Sequence, residues 1–219
     1  PSGSMRRNVI LLAFCQALML SATSLVITTS SLVGVMLAPT RMWATAPLAC
    51  MFTASLLCAF PASLLMKRIG RRGGFSLGLV LALTGACIVI LGLFKNSFIF
   101  FCLGLFLIGL FNGFGQYYRF AAVDVVPTEY RSRAISWVLA GGIIAALVGP
   151  NLANWSRDTI SSTLFGGSYV CLLVLYLLSL TLMVWIRIPL PLAEERAIGG
   201  RTLSQIAAQP VFLVAALGA

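Results

Sequence analysis

Hydrophobic positions run along the chain in long blocks, and charged residues separate these blocks at wide intervals. The uncharged blocks cover residues 8–40, 42–66, 73–94, 96–118, 134–156 and 159–186. Each block exceeds the roughly 20 residues that a helix needs to cross about 30 Å of hydrocarbon. The polar-apolar alternation of membrane β-strands occurs in none of them. The pattern therefore predicts an all-α, polytopic membrane helical bundle with six transmembrane helices.

The composition argues against a soluble protein and against an enzyme. Only 9% of the 219 residues are charged and 60% are hydrophobic, whereas soluble domains carry about 25% charged residues. The six cysteines lie inside the apolar blocks without CxxC spacing, and the chain has no histidine. Such cysteines are typical of small buried hydrophobes. Paired carboxylates, activated nucleophiles and GxxxxGK[ST] loops are absent as well, so we expect no catalytic residue, no cofactor and no metal.

Cations are distributed unevenly between the two ends of the predicted helices. One side has twelve, namely Arg6, Arg7, Lys67, Arg68, Arg71, Arg72, Arg119, Arg131, Arg133, Arg187, Arg196 and Arg201, and the other has Arg41, Lys95 and Arg157. Short loops rich in Lys and Arg stay in the cytoplasm. The asymmetry predicts a multi-pass protein of the cytoplasmic (inner) cell membrane, with both ends of the six-helix unit in the cytoplasm. It also explains the net charge of +10 without a nucleic-acid partner.

The loop between the second and third blocks arranges its charges around a glycine. Residues 68–72 read Arg-Ile-Gly-Arg-Arg, and Gly70 suits a tight turn with positive φ. This stretch resembles the GxLaDRxGRR loop of the major facilitator superfamily, with Ser63 and Lys67 in place of the family's Gly and Asp. The resemblance implies a conformational charge cluster of Arg68, Gly70, Arg71, Arg72, Asp124, Glu129 and Arg131. Solvated loop charges are the alternative.

Two further motifs carry the same resemblance. Residues 127–134, Pro-Thr-Glu-Tyr-Arg-Ser-Arg-Ala, are similar to the family's PxxxRxRA linker between helices four and five. Gly149 and Pro150 in the fifth block resemble the GP motif of the antiporter branch, although residues 153–154 are Ala-Asn where GG is expected. Gly109 stands where the family's RxxQG motif has Arg. The helix-five motif therefore leaves antiport open.

The resemblance implies half of a twelve-helix transporter, because each half of that fold is a pair of inverted three-helix repeats. Residues 5–189 are then the six-helix N-terminal half, residues 190–209 a cytoplasmic link, and residues 210–219 the start of a truncated helix seven. Residues 1–4 precede Met5 and look like the remnant of an expression tag.

Polar residues form stripes on the first and fourth blocks. The stripes consist of Gln16, Thr23 and Ser30 at seven-residue spacing, and of Asn112, Gln116 and Arg119 at i, i+4 and i+7. Polar side chains inside a membrane are costly unless they face protein or water. In the family that this chain resembles, helices one and four line the central cavity. The stripes are therefore predicted to line a substrate cavity.

Alternatives stay open for both stripes. The amides and hydroxyls could bond neighbouring helices, typically for about 0.6 kcal/mol per contact. Arg119 follows Phe98 by about 31 Å at 1.5 Å per residue, which places it near the inner boundary. There its side chain could snorkel to water or attract an anionic part of a substrate.

The main functional hypothesis is the N-terminal half of a secondary active transporter that moves a small organic solute by alternating access, with an efflux antiporter as one form. The alternatives are a non-transporting membrane scaffold and the six-helix domain of an ATP-driven exporter. Expected partners are the solute, the lipid bilayer, and either the missing C-terminal half or, in isolation, a second copy in a homodimer. A polar, largely uncharged cavity suits neutral or amphipathic solutes.

Overall fold

The computed structural model describes residues 3–157, 165–186 and 188. The helices are α1 (Gly3–Leu37), α2 (Ala46–Phe94), α3 (Phe98–Gly115), α4 (Tyr118–Asp124), α5 (Arg131–Ser156) and α6 (Gly166–Trp185), with short 3-10 helices at Arg41–Trp43 and Thr128–Tyr130. These residues contain no strand, which confirms the all-α prediction. The predicted link at 190–209 and the start of helix seven at 210–219 lie outside the described residues, as do the first two residues of the predicted tag.

Five segments within these ranges are long and apolar enough to cross a membrane. They are Met5–Leu37, Arg41–Phe94, Phe98–Asp124, Thr128–Ser156 and Gly166–Trp185. The second of them has 54 residues. A straight helix of that length would extend for roughly 80 Å, far more than one crossing needs. The protein is an integral membrane protein, and its longest helix cannot be a single straight span.

Helix α2 is interrupted at Gly70, where φ is 83° and ψ is 163°. A residue with a Cβ is strained at such angles, so glycine is the natural choice there. The chain folds back at this point, because the side chain of Met66 lies against Gly74. Along a straight helix, two positions eight residues apart would be separated by about 12 Å. Helix α2 thus has two arms, residues 46–69 and 71–94, and the predicted positive φ at Gly70 is confirmed.

The fourth uncharged block forms one helix as expected, but that helix ends before it reaches Arg119, the last residue of the predicted polar stripe. Helix α3 ends at Gly115 and α4 begins at Tyr118, with a turn between them. The N–H of Tyr117 donates to the carbonyl oxygen of Phe114 at 3.1 Å, an i to i−3 contact that tightens the last turn of α3. Arg119 therefore does not continue the helix that carries Asn112.

Small residues bring α3 close to both arms of α2. A Cβ added to Gly113 would lie 2.9 Å from Cβ of Cys58 in the first arm. A Cβ added to Gly104 would lie 2.6 Å from the carbonyl oxygen of Gly85 in the second arm. Larger side chains at these positions would force the backbones apart, as is usual where membrane helices pack on glycine.

Helix α1 contacts α3, α5 and α6 along different parts of its length. Its contact with α5 depends on glycine, since a Cβ on Gly149 would lie 2.6 Å from Cβ of Ser24. Thr23 of α1 reaches Asn112 of α3, and Ser30 of α1 reaches Tyr169 of α6. Helix α1 therefore takes part in two polar contacts, one with α3 and one with α6.

Candidate functional site

A polar contact joins α1 to α3 in the interior of the bundle. Oγ1 of Thr23 lies 3.1 Å from Oδ1 of Asn112 and 2.9 Å from the carbonyl oxygen of Met19. A hydroxyl has one hydrogen, so Thr23 donates to one of these acceptors at a time. Asn112 is 6% exposed, and its contact with Thr23 uses Oδ1 and not the side-chain nitrogen. The contact therefore holds the amide between the two helices through its oxygen.

Gln16 supplies an acceptor on the same helix. It lies seven residues before Thr23, about 10 Å along the axis, and is 7% exposed. Its Oε1 is buried and has no hydrogen-bond partner in the described part of the chain. Leaving such an atom unsatisfied costs about 1–3 kcal/mol. A water molecule or a ligand donor is the usual remedy.

The other residues of the predicted cavity lie in different surroundings. Gln116 is exposed just beyond the end of α3, and Arg119 is exposed on α4. The guanidinium carbon of Arg119 lies 5.0 Å from the ring centroid of Phe120. Ser30 is fully buried, and its Oγ lies 2.9 Å from the hydroxyl oxygen of Tyr169. Of the predicted cavity residues, the structure brings Thr23 and Asn112 into direct contact.

The contact between α1 and α6 was missed at the sequence level. Thr29 Oγ1 lies 3.1 Å from the Tyr169 hydroxyl oxygen and 2.9 Å from the carbonyl oxygen of Leu25, so Tyr169 meets two hydroxyls of α1. The ring of Tyr169 also packs edge-on against Phe101, with centroids 5.7 Å apart. The sixth block did contain a signal, because Tyr169, Tyr176 and Met183 repeat at the seven-residue spacing of the first block.

Three more buried hydroxyls lack hydrogen-bond partners within the described residues, namely those of Tyr118, Tyr176 and Ser179. The rings of the two tyrosines are fixed by aromatic neighbours. Tyr118 stacks on Phe75 with centroids 4.2 Å apart, and Tyr176 meets Phe111 edge-on at 5.4 Å. Buried tyrosines usually pair their hydroxyls, so these positions suit bound water.

A charged network ties the turn at Gly70 to α4 and α6. Nε of Arg71 donates to Oδ2 of Asp124 at 2.8 Å, and Nη2 of Arg72 donates to the carbonyl oxygen of Val184 at 3.1 Å. The Arg71 guanidinium also lies 5.9 Å from the ring centroid of Tyr117. The hydroxyl of Tyr117 donates to the carbonyl oxygen of Ala59 at 2.8 Å. The first arm of α2 is thus bonded to Tyr117 just before α4, and the second arm to Asp124 at the end of α4.

The Arg71–Asp124 pair is only partly shielded from solvent. The two side chains are 25% and 41% exposed, and exposed pairs contribute about 0–1 kcal/mol. Arg68, Glu129 and Arg131, the remaining charged residues of the predicted cluster, are exposed. A pair of this strength suits a contact that breaks and forms again.

The helix-five motif lies where α5 packs on α1. A Cβ on Gly149 would lie 2.8 Å from the carbonyl oxygen of Ser21. Pro150 has no N–H and removes one backbone hydrogen bond from the middle of α5. The next residue, Asn151, donates its side-chain N–H to the carbonyl oxygen of Leu147 at 2.7 Å. A glycine without a side chain and a proline without an N–H are therefore adjacent where α5 crosses α1.

The described residues contain no group of three or more His, Cys, Asp and Glu that could hold a metal ion. What the interior does offer is amides and hydroxyls, which bind neutral solutes by hydrogen bonds without reacting with them. Polar groups placed between the helices of a membrane bundle, with a charged turn at one end, are typical of a membrane transporter.

Comparison with known families identifies the class more closely. The family model of the Major Facilitator Superfamily matches residues 9–219. The chain therefore belongs to the Major Facilitator Superfamily of membrane transporters.

Two curated relatives illustrate the match. The riboflavin transporter RfnT of Brucella anthropi is 37% identical over 211 residues, which cover 95% of this chain and 53% of the relative. An uncharacterised MFS-type transporter of Bacillus subtilis, YdeG, is 26% identical over 176 residues, covering 78% of this chain and 41% of the relative. The chain spans about half the length of the curated relatives that it matches.

Proposed function

We propose that the chain is the N-terminal half of a secondary active transporter, with six membrane crossings and both ends of this unit in the cytoplasm. The reversal at Gly70 supports two crossings within α2. Each arm has about 24 residues and extends for about 36 Å, enough for one crossing. The uneven distribution of cations supports the orientation, because short cationic loops stay in the cytoplasm.

The second half of the transporter would pack against the face of α5 that carries the exposed residues Leu139, Ile143 and Leu147. Only 22% of the residues in the apolar part of the span that contains α5 are buried, against 39–56% in the apolar parts of the other candidate spans. A face of this kind needs lipid or another helix to cover it. Relatives about twice as long as the chain match it over one part, so a further six-helix half supplies the natural cover. In isolation, a second copy in a homodimer would cover the same surface.

The proposed solute is a neutral, planar molecule of the flavin type. The relative from Brucella anthropi is named for riboflavin. The ring system of a flavin has an imide edge, with one N–H donor between two carbonyl acceptors. Side-chain amides such as those of Asn112 and Gln16 match both kinds of group. The observation that carries the proposal is the Thr23–Asn112 contact, because it presents an amide between the two helices.

In this proposal the other polar residues have separate roles. Gln116 and Arg119, both exposed, lie at the cytoplasmic mouth and guide the solute toward Asn112. Ser30 contributes to the cavity wall indirectly, by fixing α1 against Tyr169 of α6. The Arg71–Asp124 pair holds the turn at Gly70 to α4 in one conformation and releases it in the other.

Export by antiport is a second candidate for the mode of transport. The observation that favours it is the close contact of Gly149 with α1 beside Pro150. A hinge at this crossing would let α5 move against α1. A cation gradient across liposomes tests it, since an antiporter accelerates solute entry when its driving cation is loaded on the opposite side, whereas an uncoupled carrier does not respond.

Transport by the full-length parent in liposomes tests the main proposal, with riboflavin as the probe. Asn112→Asp keeps the shape of the side chain but replaces its N–H donors with an anionic acceptor. We expect riboflavin uptake to fall by at least tenfold. The matched control is Asn154→Asp, the same change at an exposed position near the end of α5, which should stay within twofold of the parent.

Thermal unfolding of both variants separates lost binding from lost folding. If Asn112→Asp fails to fold, Asn112→Ser provides a smaller polar residue for the same assay. Unchanged riboflavin uptake in a folded Asn112→Asp protein would rule out this residue as a solute contact. If the parent took up other solutes but not riboflavin, the flavin proposal would fail and the transporter proposal would stand. A parent that moves no solute under any gradient would favour a scaffold.

A further inference from the structure

A cavity lies away from the Thr23–Asn112 contact. It is formed by the first turns of α1, the link between α4 and α5, and the first turns of α5. Its volume is about 390 Å³, near the lower end of the roughly 300–1,000 Å³ of ligand pockets. Most of its wall is apolar and includes Val9, Ile10 and Val126. The cavity is large enough for part of an amphipathic molecule.

The polar groups of this cavity are donors. Arg6, Tyr130, Arg133 and Trp137 line it, and their side chains carry guanidinium, hydroxyl and indole donors. The wall contains no carboxylate. Arginine donates several N–H groups in a planar fork that matches phosphate oxygens. An occupant with a phosphate group beside an apolar portion would complement both parts of the wall.

The cavity wall shares Trp137 with an exposed face of α5. Trp137 and Trp155 are 67% and 80% exposed. They are 18 residues apart, which is five helical turns, so they share one face at a distance of about 27 Å. This distance is close to the hydrocarbon thickness, and tryptophan is enriched at both membrane interfaces. Ile144 and Val148, between them on the same face, are exposed as well.

Trp137 belongs both to this exposed face and to the cavity wall, so a lipid at the membrane interface would meet the cavity. We propose that the cavity binds the headgroup of an anionic phospholipid from the cytoplasmic leaflet. Arg6 and Arg133 hold the phosphate, and the acyl chains follow Ile10 and the Trp137 side of α5. Basic pockets between helices on the cytoplasmic side bind such headgroups in general. The inference rests on the proposed orientation and not on the identity of the solute.

Native mass spectrometry of the full-length parent tests this proposal. Phosphatidylglycerol is the probe, and phosphatidylcholine of the same chain length is the reference lipid. We expect Arg6→Gln and Arg133→Gln each to weaken phosphatidylglycerol binding by about tenfold, with less effect on phosphatidylcholine. Arg7→Gln is the matched control, because Arg7 is the exposed neighbour of Arg6 outside the cavity wall. It should change binding less than twofold.

Several results would overturn the proposal. An equal loss in Arg7→Gln would reduce the effect to general surface charge. Binding of water-soluble glycerol 3-phosphate as tight as that of the lipid would show that a free phosphate compound suffices. Trp137→Cys would test whether protein covers the cavity. If this cysteine crosslinks to a second copy or to the C-terminal half and phosphatidylglycerol no longer binds, the cavity belongs to a protein interface.

Thermal unfolding confirms that each variant is folded, and Arg6→Lys serves as a charge-preserving variant if Arg6→Gln is not. Riboflavin uptake by the same preparations keeps the two proposals apart. Lipid binding that depends on Arg6 and Arg133 in a protein without riboflavin transport would support the lipid site and reject the flavin.

Discussion

Helix α1 makes two polar contacts, and they differ in how completely their groups are paired. Toward α6, Thr29 and Ser30 both meet the hydroxyl of Tyr169, and all three residues are fully buried. Toward α3, Thr23 meets the amide oxygen of Asn112, and this contact leaves the amide nitrogen unused. The first contact is saturated, and the second has unused hydrogen-bonding capacity.

The neighbouring helix decides this difference. Thr23 and Ser30 are seven residues apart and share one face of α1, but about 10 Å of helix separates them. At the level of Ser30 the neighbour is a tyrosine, whose single hydroxyl is used up by two partners. At the level of Thr23 it is an asparagine, which has two donors and an acceptor. One stripe on one helix therefore combines a saturated contact with one that, in the proposed function, faces the solute.

The largest effect is expected when the saturated contact is removed. Tyr169→Ala would delete a buried ring and both hydrogen bonds to α1, at a cost of about 3 kcal/mol in the free energy of unfolding. Reversible unfolding in detergent, followed by circular dichroism, measures this cost. Tyr169→Phe is the control that keeps the ring, and it should lose only about 1 kcal/mol. A loss below 1 kcal/mol for the alanine variant would contradict a fixing role.

Matched changes along α1 test the comparison directly. Ser30→Ala should lower the stability by about 1 kcal/mol, because it removes a buried bond to Tyr169, and should leave riboflavin uptake per folded molecule within twofold. Thr23→Val should have a smaller effect on stability and reduce uptake several-fold. Thr84→Val is the control for the second change, since Thr84 is exposed and bonds only within its own helix. If Ser30→Ala instead reduced uptake and Thr23→Val instead lowered stability, the roles of the two contacts would be reversed.

Much of the fold could be read from the distribution of charge. Long uncharged blocks predict membrane helices, because few polar groups are tolerated in hydrocarbon. The turn at Gly70 was also predictable, since a glycine between arginines marks a place where the helix is not continued. The break after Gly115 was not predictable in this way, because uncharged residues on both sides hide it. It depends on local backbone bonds such as that from Tyr117 to Phe114.

The site was less predictable than the fold. Seven-residue spacing correctly grouped Thr23 and Ser30 on one face of α1, but it carried no information on which helix each would meet. The bond between Ser30 and Tyr169 depends on how α6 packs, and residues 139 positions apart have to be brought together by the fold. The choice of Asp124 as the partner of Arg71 likewise depends on where α4 begins.

A double-mutant cycle measures the smaller energy of the unsaturated contact. Thr23→Val, Asn112→Ala and the double variant should give a coupling of about 0.6 kcal/mol, the usual value for polar contacts between membrane helices. The energy is small because Thr23 can donate to the carbonyl oxygen of Met19 instead. Unfolding in detergent yields the three free energies. A coupling above 2 kcal/mol would make this contact as fixed as the one to α6.

The smallest effect on stability is expected at the charged turn. Arg71→Ala and Asp124→Ala should each cost about 0.5 kcal/mol, because the pair is partly exposed, while the rate of riboflavin uptake by the full-length parent changes several-fold. The reversed pair, Arg71→Asp with Asp124→Arg, should restore much of that rate if the attraction itself matters. Arg68→Ala, at an exposed neighbour, controls for a general loss of cytoplasmic charge. High salt should weaken the wild-type attraction and reduce the difference between wild type and variants. A stability loss above 2 kcal/mol with an unchanged uptake rate would show that the pair only supports the fold. The contact between α1 and α3 would then be the one adjustable contact in this comparison.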